Sequence, residues 1–155
     1  MKSSLSPELR QAIGQLERYC SLQERCLSQI QQKLKEIELS YEQKEHVVQM
    51  LQAEGYHDEE RFAKAYASGK FRQLKWGKIK IAAGLRFLKV PGNLIEIALQ
   101  EIDPNEYERV RVQLIEKKKG QLKEKDIFRR KLKIANFLHA KGFETNDLPS
   151  MEGPI

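Results

Sequence analysis

The fold is decided by residues 58–85, which read DEERFAKAYASGKFRQLKWGKIKIAAGL. Asp58 can cap a helix, and Phe62 and Tyr66 then fall at positions i and i+4, on one helix face. We expect Gly77 to end this helix, with a positive φ that lets the chain turn. A second apolar helical pattern follows directly. The stretch therefore predicts two helices joined by a tight turn.

The same helical spacing continues in both directions along the chain, and no β-type alternation is long enough to compete with it. Ser21 and Ser40 each begin a capping box, while Gly55 and Gly142 follow periodic stretches as helix stops. The pattern predicts eight helices, at residues 8–19, 21–38, 41–54, 59–74, 78–89, 92–101, 104–119 and 126–141.

An internal repeat accompanies this pattern. Residues 78–85 (KIKIAAGL) align with residues 131–138 (KLKIANFL) at an offset of 53, and residues 30–34 align with residues 81–85 by apolar pattern at an offset of 51. Helices this short must bury a face against neighbours to be stable. We therefore expect an all-α fold of tandem three-helix repeats, stacked into an elongated, curved array.

The repeat length divides the chain into three parts. The first repeat, with an N-terminal extension, is expected at residues 1–55, the second at 56–102 and the third at 103–155. The last helix of the third repeat is expected to be truncated or frayed, because Pro149 disfavours a helical conformation at the residue before it.

Charge is distributed in blocks. The net charge is +6, but residues 61–90 hold 9 Lys/Arg and no acid, and residues 109–141 hold 12 Lys/Arg and 3 acids. Blocks of this size suit an anionic partner, although a solvated basic helix face gives the same pattern. A basic rim around one aromatic is common on nucleic-acid-binding surfaces. The candidate contact residues are Arg61, Lys70, Arg72, Lys75, Trp76, Lys78, Lys80, Arg129, Arg130, Lys131 and Lys133.

Nothing in the sequence argues for catalysis. His46, His57 and His139 stand far apart, and no His/Cys pair has metal-ligand spacing. Phosphate-binding loops of the Walker type and nucleophile elbows are both absent from the sequence. We therefore expect a protein that is not an enzyme and holds no metal or cofactor. Two cysteines and the lack of a long apolar run favour the cytoplasm and no membrane span.

Three short elements resemble the RecX family of regulatory proteins: residues 60–63 (ERFA), residues 76–80 (WGKIK) with Leu85, and residues 141–143 (KGF). The resemblance covers about residues 20–148, and its centre is the most specific part. We assign a structural role in this motif to Phe62, Ala63, Tyr66, Gly77, Ile79, Leu85, Gly142 and Phe143.

The resemblance implies a fold and a partner. Members of the RecX family are stacks of three-helix repeats that bind the RecA recombinase filament in its groove and restrain strand exchange and ATP hydrolysis. Some also contact DNA. The resemblance thus implies a modulator of recombination and DNA repair in the SOS response, which we expect to be a monomer. Two alternatives stay open, namely a module that binds single- or double-stranded DNA directly, and a general helical-repeat adaptor.

Overall fold

The computed structural model describes residues 5–146, and this part of the chain forms eight α-helices and no strand. The all-α prediction is confirmed. None of the described helices is both long and apolar enough to cross a membrane. The helices are α1 (Pro7–Leu22), α2 (Leu27–Leu34), α3 (Tyr41–Ala53), α4 (Glu59–Leu74), α5 (Lys78–Phe87), α6 (Gly92–Gln100), α7 (Pro104–Gln121) and α8 (Ile127–Lys141).

Side-chain caps fix most of the helix starts. The hydroxyl oxygen of Ser40 accepts a hydrogen bond from the backbone N–H of Gln43, which completes the predicted capping box of α3. Asp58 and Asp103 cap α4 and α7 in the same way, through carboxylate oxygens 3.0 and 2.8 Å from backbone nitrogens. These bonds satisfy N–H groups that have no partner inside the helix.

The predicted capping box at Ser21 is wrong. Ser21 lies inside α1, and its hydroxyl donates to the carbonyl oxygen of Glu17 at 2.7 Å. The apolar face of α1 continues to the buried Cys20, so packing extends this helix past the local cap signal. The next helix begins only after Cys26, whose backbone N–H donates to the Gln29 side chain at 3.1 Å.

The described chain divides into two compact units. The first comprises residues 5–65 and 85–97, and the second comprises residues 66–84 and 98–146. The core of the first unit includes Ile13, Leu16, Ile30, Leu34, Val47 and Leu51. In the second unit, the buried apolar side chains include Phe71, Ile81, Ile115, Ile134, Leu138 and Phe143.

Positions related by the repeat offsets are buried alike. The isoleucines at 30, 81 and 134 are all 0% exposed, and the leucines at 34, 85 and 138 are at most 2% exposed. The alignment therefore identifies inward-facing positions. The division into three repeats stays a prediction, and the expected helix interruption at Pro149 lies outside the described residues.

Candidate partner-binding site

The turn between α4 and α5 is built around a strained lysine. Lys75 has φ 56°, and its backbone N–H donates to the carbonyl oxygen of Phe71 at 2.9 Å. The prediction of a positive φ at Gly77 is wrong, because the left-handed position is taken two residues earlier. For a residue with a Cβ, this conformation costs roughly 1–2 kcal/mol. The turn leaves the Lys75 side chain exposed at the surface.

Gly77 is required for a different reason, which is close backbone approach. Its N–H donates to the carbonyl oxygen of Lys141 at 2.7 Å, and the N–H of Ile79 donates to that of Gly142 at 2.9 Å. A Cβ on Gly77 would lie 2.5 Å from the backbone nitrogen of Phe143 and overlap the Gly142 carbonyl. We call this pair of hydrogen bonds, with Gly77 and Gly142, the glycine clasp.

Gly142 completes the clasp from the other side. It ends α8 with φ 92°, a conformation that glycine adopts without a steric penalty. A Cβ on Gly142 would lie 2.6 Å from the backbone nitrogen of Lys80 and overlap the Lys80 Cβ. The next residue, Phe143, is completely buried. The clasp therefore holds the start of α5 against the end of α8.

Tyr107 anchors the same turn from α7. Its hydroxyl oxygen accepts from the Lys78 backbone N–H at 2.9 Å, and its O–H donates to the Glu144 carboxylate at 3.0 Å. Its ring packs against Phe71 and Phe143, at centroid distances of 5.7 and 5.0 Å. Burial, reinforced by the nearby Glu144 charge, raises the pKa of Tyr107 well above its usual range, so the hydroxyl stays protonated.

Two lysines lie against the half-buried Trp76 at this turn, and the ammonium group of Lys78 lies over the Tyr107 ring. The ammonium nitrogens of Lys80 and Lys70 lie 4.6 and 5.0 Å from the Trp76 ring centroid, within cation–π range. The ring of Tyr66 approaches Trp76 edge-on, at 6.5 Å between centroids. We call Lys70, Lys75, Trp76, Lys78 and Lys80 the lysine–tryptophan cluster.

The positive charge of this cluster is not neutralised locally. Within residues 5–146, none of its four lysines forms an ion pair. Nearby, Lys141 donates to the carbonyl oxygen of Leu74 at 2.8 Å. Burial lowers the pKa of Lys141, and the charges of Lys80, Lys75 and Lys117 lower it further. Like charges held this close create a positive field that favours an anionic ligand.

The remaining predicted contact residues lie elsewhere. In the first unit, Arg61 donates to the Glu24 carboxylate at 2.7 Å and to the Gly55 carbonyl at 3.0 Å, so its guanidinium joins elements of that unit. Arg130 is 3% exposed and donates to the Lys119 carbonyl oxygen at 2.9 Å, near the end of α7. Both geometries suit a structural role. The predicted contact residues Arg72, Arg129, Lys131 and Lys133 are exposed.

The structural motif residues fall into two groups. Phe62, Ala63, Leu85, Gly142 and Phe143 are buried, as is Gly77. Tyr66 is half-buried with its hydroxyl against Gly84, and Ile79 is 48% exposed. Sequence reasoning did not single out Tyr107, Lys141 or Glu144 as part of this site. Their role depends on contacts between distant chain segments, for which the sequence carries no local signal.

Comparison with known proteins shows which family this arrangement resembles. The family model for the second three-helix domain of RecX matches residues 58–99, which contain the whole lysine–tryptophan cluster. The chain also superposes on a crystal structure of regulatory protein RecX with a TM-score of 0.79 and 25% identity, over 89% of this chain and 68% of that one. Residues 58–99 thus match a RecX domain, and the chain shares its fold with a solved RecX protein.

A second RecX structure supports the same fold. The RecX from Lactobacillus salivarius gives a TM-score of 0.83 at 19% identity, over 90% of this chain and 91% of that one. A sequence search of curated proteins gives no significant match. The chain therefore has the helical-repeat fold of the solved RecX proteins, and its likeness to that family supports a regulatory role. In residues 5–146, no group of three or more His, Cys, Asp or Glu side chains could hold a metal ion.

Proposed function

We propose that this protein binds the RecA recombinase filament in its groove, and restrains the ATPase and strand-exchange activities of the recombinase. The likeness to the RecX family supports the choice of partner. The single observation that carries the contact is the lysine–tryptophan cluster, whose lysines have no acidic partner in the described chain. In this role the protein acts in the cytoplasm as a monomer.

The geometry of the cluster favours recognition of charge over stacking on bases. Lys70 and Lys80 lie over the Trp76 ring, so the indole organises ammonium groups around itself. The filament offers two kinds of negative charge, namely DNA phosphates and acidic side chains of the recombinase. Either kind would lower the repulsion among the lysines on binding, and increasing salt should weaken the complex.

A charge-reversal variant tests this contact. Changing Lys75, Lys78 and Lys80 together to Glu should weaken binding to a recombinase–DNA filament, while far-UV circular dichroism shows unchanged helical content. Binding is measured by filament pull-down, and the effect on the recombinase by an ATPase assay. Normal binding by this variant would remove the cluster from the mechanism.

The matched control reverses three charges elsewhere. Arg109, Lys123 and Lys125 are exposed and lie outside the cluster, so changing all three to Glu gives the same change in net charge. We expect this control to keep most of its filament binding. If both triple variants lose affinity equally, net charge rather than the cluster determines binding.

The unneutralised charge also supports a second candidate, a module that binds DNA alone. The two functions differ in their response to bare DNA. A filament modulator should prefer the filament to bare single-stranded DNA at physiological salt and should slow ATP hydrolysis. Equal affinity for both, without any change in ATPase rate, would support the DNA-binding module instead.

A further inference from the structure

The helix α8 carries apolar side chains on two opposite sides. Its inward side packs against the second unit, including α7, and buries Arg130, Ile134 and Leu138. Phe128 and Leu132 each lie two residues from Arg130, about 200° around the helix axis, and are 85% and 60% exposed. A surface helix normally has charged and polar residues on the side away from the core. Packing within the second unit therefore does not account for these two side chains.

The outward side of α8 has the residue spacing of a coiled-coil seam. Its members are separated by four, three and four residues, which is the alternation of d and a positions in a heptad; they are Phe128, Leu132, Ala135 and His139. The two large apolar side chains lie near the start of the helix, and the small side chain of Ala135 leaves room for a second helix to approach. With 15 residues, α8 offers about two heptads to a partner helix.

Basic side chains flank this seam. Arg129 and Lys131 occupy the e and g positions beside it and are exposed, and neither forms an ion pair within residues 5–146. Charges at e and g positions select the partner of a coiled coil. The other e and g residues of α8 are Asn136 and Leu138, so a second copy of this helix would offer no acid in return. The flanks therefore favour a different, acidic partner.

We propose that the outward face of α8 binds an amphipathic helix of another protein, one with apolar residues in its seam and acidic residues beside that seam. Phe128 and Leu132 pack into the seam of the partner helix, while Arg129 and Lys131 pair with its Glu or Asp side chains. Phe128 lies about 20 Å along the helix from Lys141, where α8 meets the glycine clasp. This face is thus separate from the lysine–tryptophan cluster, and the proposal does not depend on the filament contact.

Designed peptides test the charge and shape of the partner. The first is a labelled three-heptad peptide with Leu at the a and d positions and Glu at the e and g positions. Repulsion among its Glu side chains keeps this peptide from pairing with itself at neutral pH. The second peptide has Lys in place of Glu. Fluorescence anisotropy should show the full chain binding the Glu peptide more tightly than the Lys peptide, and equal binding or no binding of the two would overturn the proposal.

The apolar contact is tested with Phe128→Ala. Affinity for the Glu peptide should fall roughly 10- to 150-fold, which corresponds to the loss of one buried phenylalanine side chain. The matched control is Phe87→Ala, because Phe87 is 86% exposed and lies on α5. Both side chains are exposed, so we expect both variants to keep the helical content and urea midpoint of the parent protein. Equal affinity of the two variants would overturn the assignment of the contact to α8.

The charge contact is tested by reversal. Changing Arg129 and Lys131 together to Glu should reverse the preference, so that the variant binds the Lys peptide more tightly than the Glu peptide. Neither misfolding nor a general change in net charge explains a gain of affinity for one peptide with a loss for the other. The control changes two exposed residues elsewhere, Arg10 and Arg109, to Glu and should keep the original preference. A reversed preference in the control, or an unreversed one in the α8 variant, would overturn the charge contact.

Three other occupants of this face are tested with Phe128→Ala and its control, Phe87→Ala. Cosedimentation with phosphatidylglycerol vesicles measures binding to an anionic lipid surface, and anisotropy with labelled oligothymidylate measures binding to nucleic acid. Sedimentation equilibrium of the protein alone measures self-association. We expect the two variants to behave alike in all three assays. A loss in any of them that is confined to Phe128→Ala would assign the face to that occupant and overturn the choice of a partner helix.

Discussion

Replacing Gly77 by Ala should be among the most damaging single-methyl changes in the second unit. The added Cβ would meet backbone atoms on the opposite side of the clasp, at the Gly142 carbonyl and the Phe143 nitrogen. Backbone atoms cannot rotate away as the end of a flexible side chain can. The two segments must therefore separate, and the hydrogen bonds of the clasp, at 2.7 and 2.9 Å, must break.

The size of the effect follows from these two bonds. The Gly77 N–H is buried, and leaving it without a partner costs about 1–3 kcal/mol. Ile79 is 48% exposed, so we expect water to bond to its N–H once the hydrogen bond to Gly142 breaks. The expected loss of unfolding free energy is then about 0.5–1.5 kcal/mol. Together these losses amount to about 1.5–4.5 kcal/mol, a large part of the roughly 5–15 kcal/mol that stabilises an ordinary domain.

Urea unfolding followed by circular dichroism measures this loss directly. The matched control is Gly69→Ala, because Gly69 lies within α4 and a Cβ there would meet nothing within 4 Å. The control should gain about 0.5–1 kcal/mol, since alanine is the better helix former. An unfolding free energy for Gly77→Ala within about 0.5 kcal/mol of the parent protein would refute the clasp as a stabilising contact.

Two further predictions concern the same turn. Tyr107→Phe removes the hydroxyl that bridges Lys78 and Glu144, and should cost about 1–3 kcal/mol of unfolding free energy in urea. In the parent protein the pKa of Tyr107 is raised, so above about pH 10 only the unfolded state loses this proton. The free energy of unfolding should therefore fall as the pH rises above that value, and the Tyr107→Phe variant should lack this part of the decline. Lys75→Gly should raise the thermal midpoint by relieving the positive φ, yet weaken filament binding; a variant that binds normally would contradict the role of Lys75.

The sequence predicts the helices well because caps and apolar periodicity act locally. The pattern places α4 at residues 59–74, and the structure has Glu59–Leu74, since Asp58 caps the start and the periodicity stops before the turn. The prediction fails at Ser21 because a capping pattern competes with a helix that still has an apolar face to bury. There, the burial of Cys20 and the hydrogen bond from the Ser21 hydroxyl to the Glu17 carbonyl oxygen keep Ser21 inside α1.

The candidate site could be predicted only in part. A basic stretch around Trp76 is visible in the sequence, and the structure brings Lys70 and Lys80 onto its ring. The positive φ of Lys75 has no sequence signal, because lysine is not a residue that favours left-handed backbone. The burial of Arg130 is equally hidden, since a basic helix residue looks the same whether it faces solvent or the carbonyl oxygens near a helix end.

Two questions about Lys75 and Lys80 have different answers: why the side chains at these positions lie where they do, and why they are charged. The glycine clasp uses backbone hydrogen bonds, and its closure brings Lys80 next to Gly142 and the end of α8. Any side chain at positions 75 and 80 would occupy the same region, and a neutral one would leave both bonds of the clasp intact. The charges of Lys80 and Lys75 instead add to burial in lowering the pKa of the neighbouring Lys141. Folding therefore accounts for where these side chains lie, while the proposed anionic partner would account for their charge.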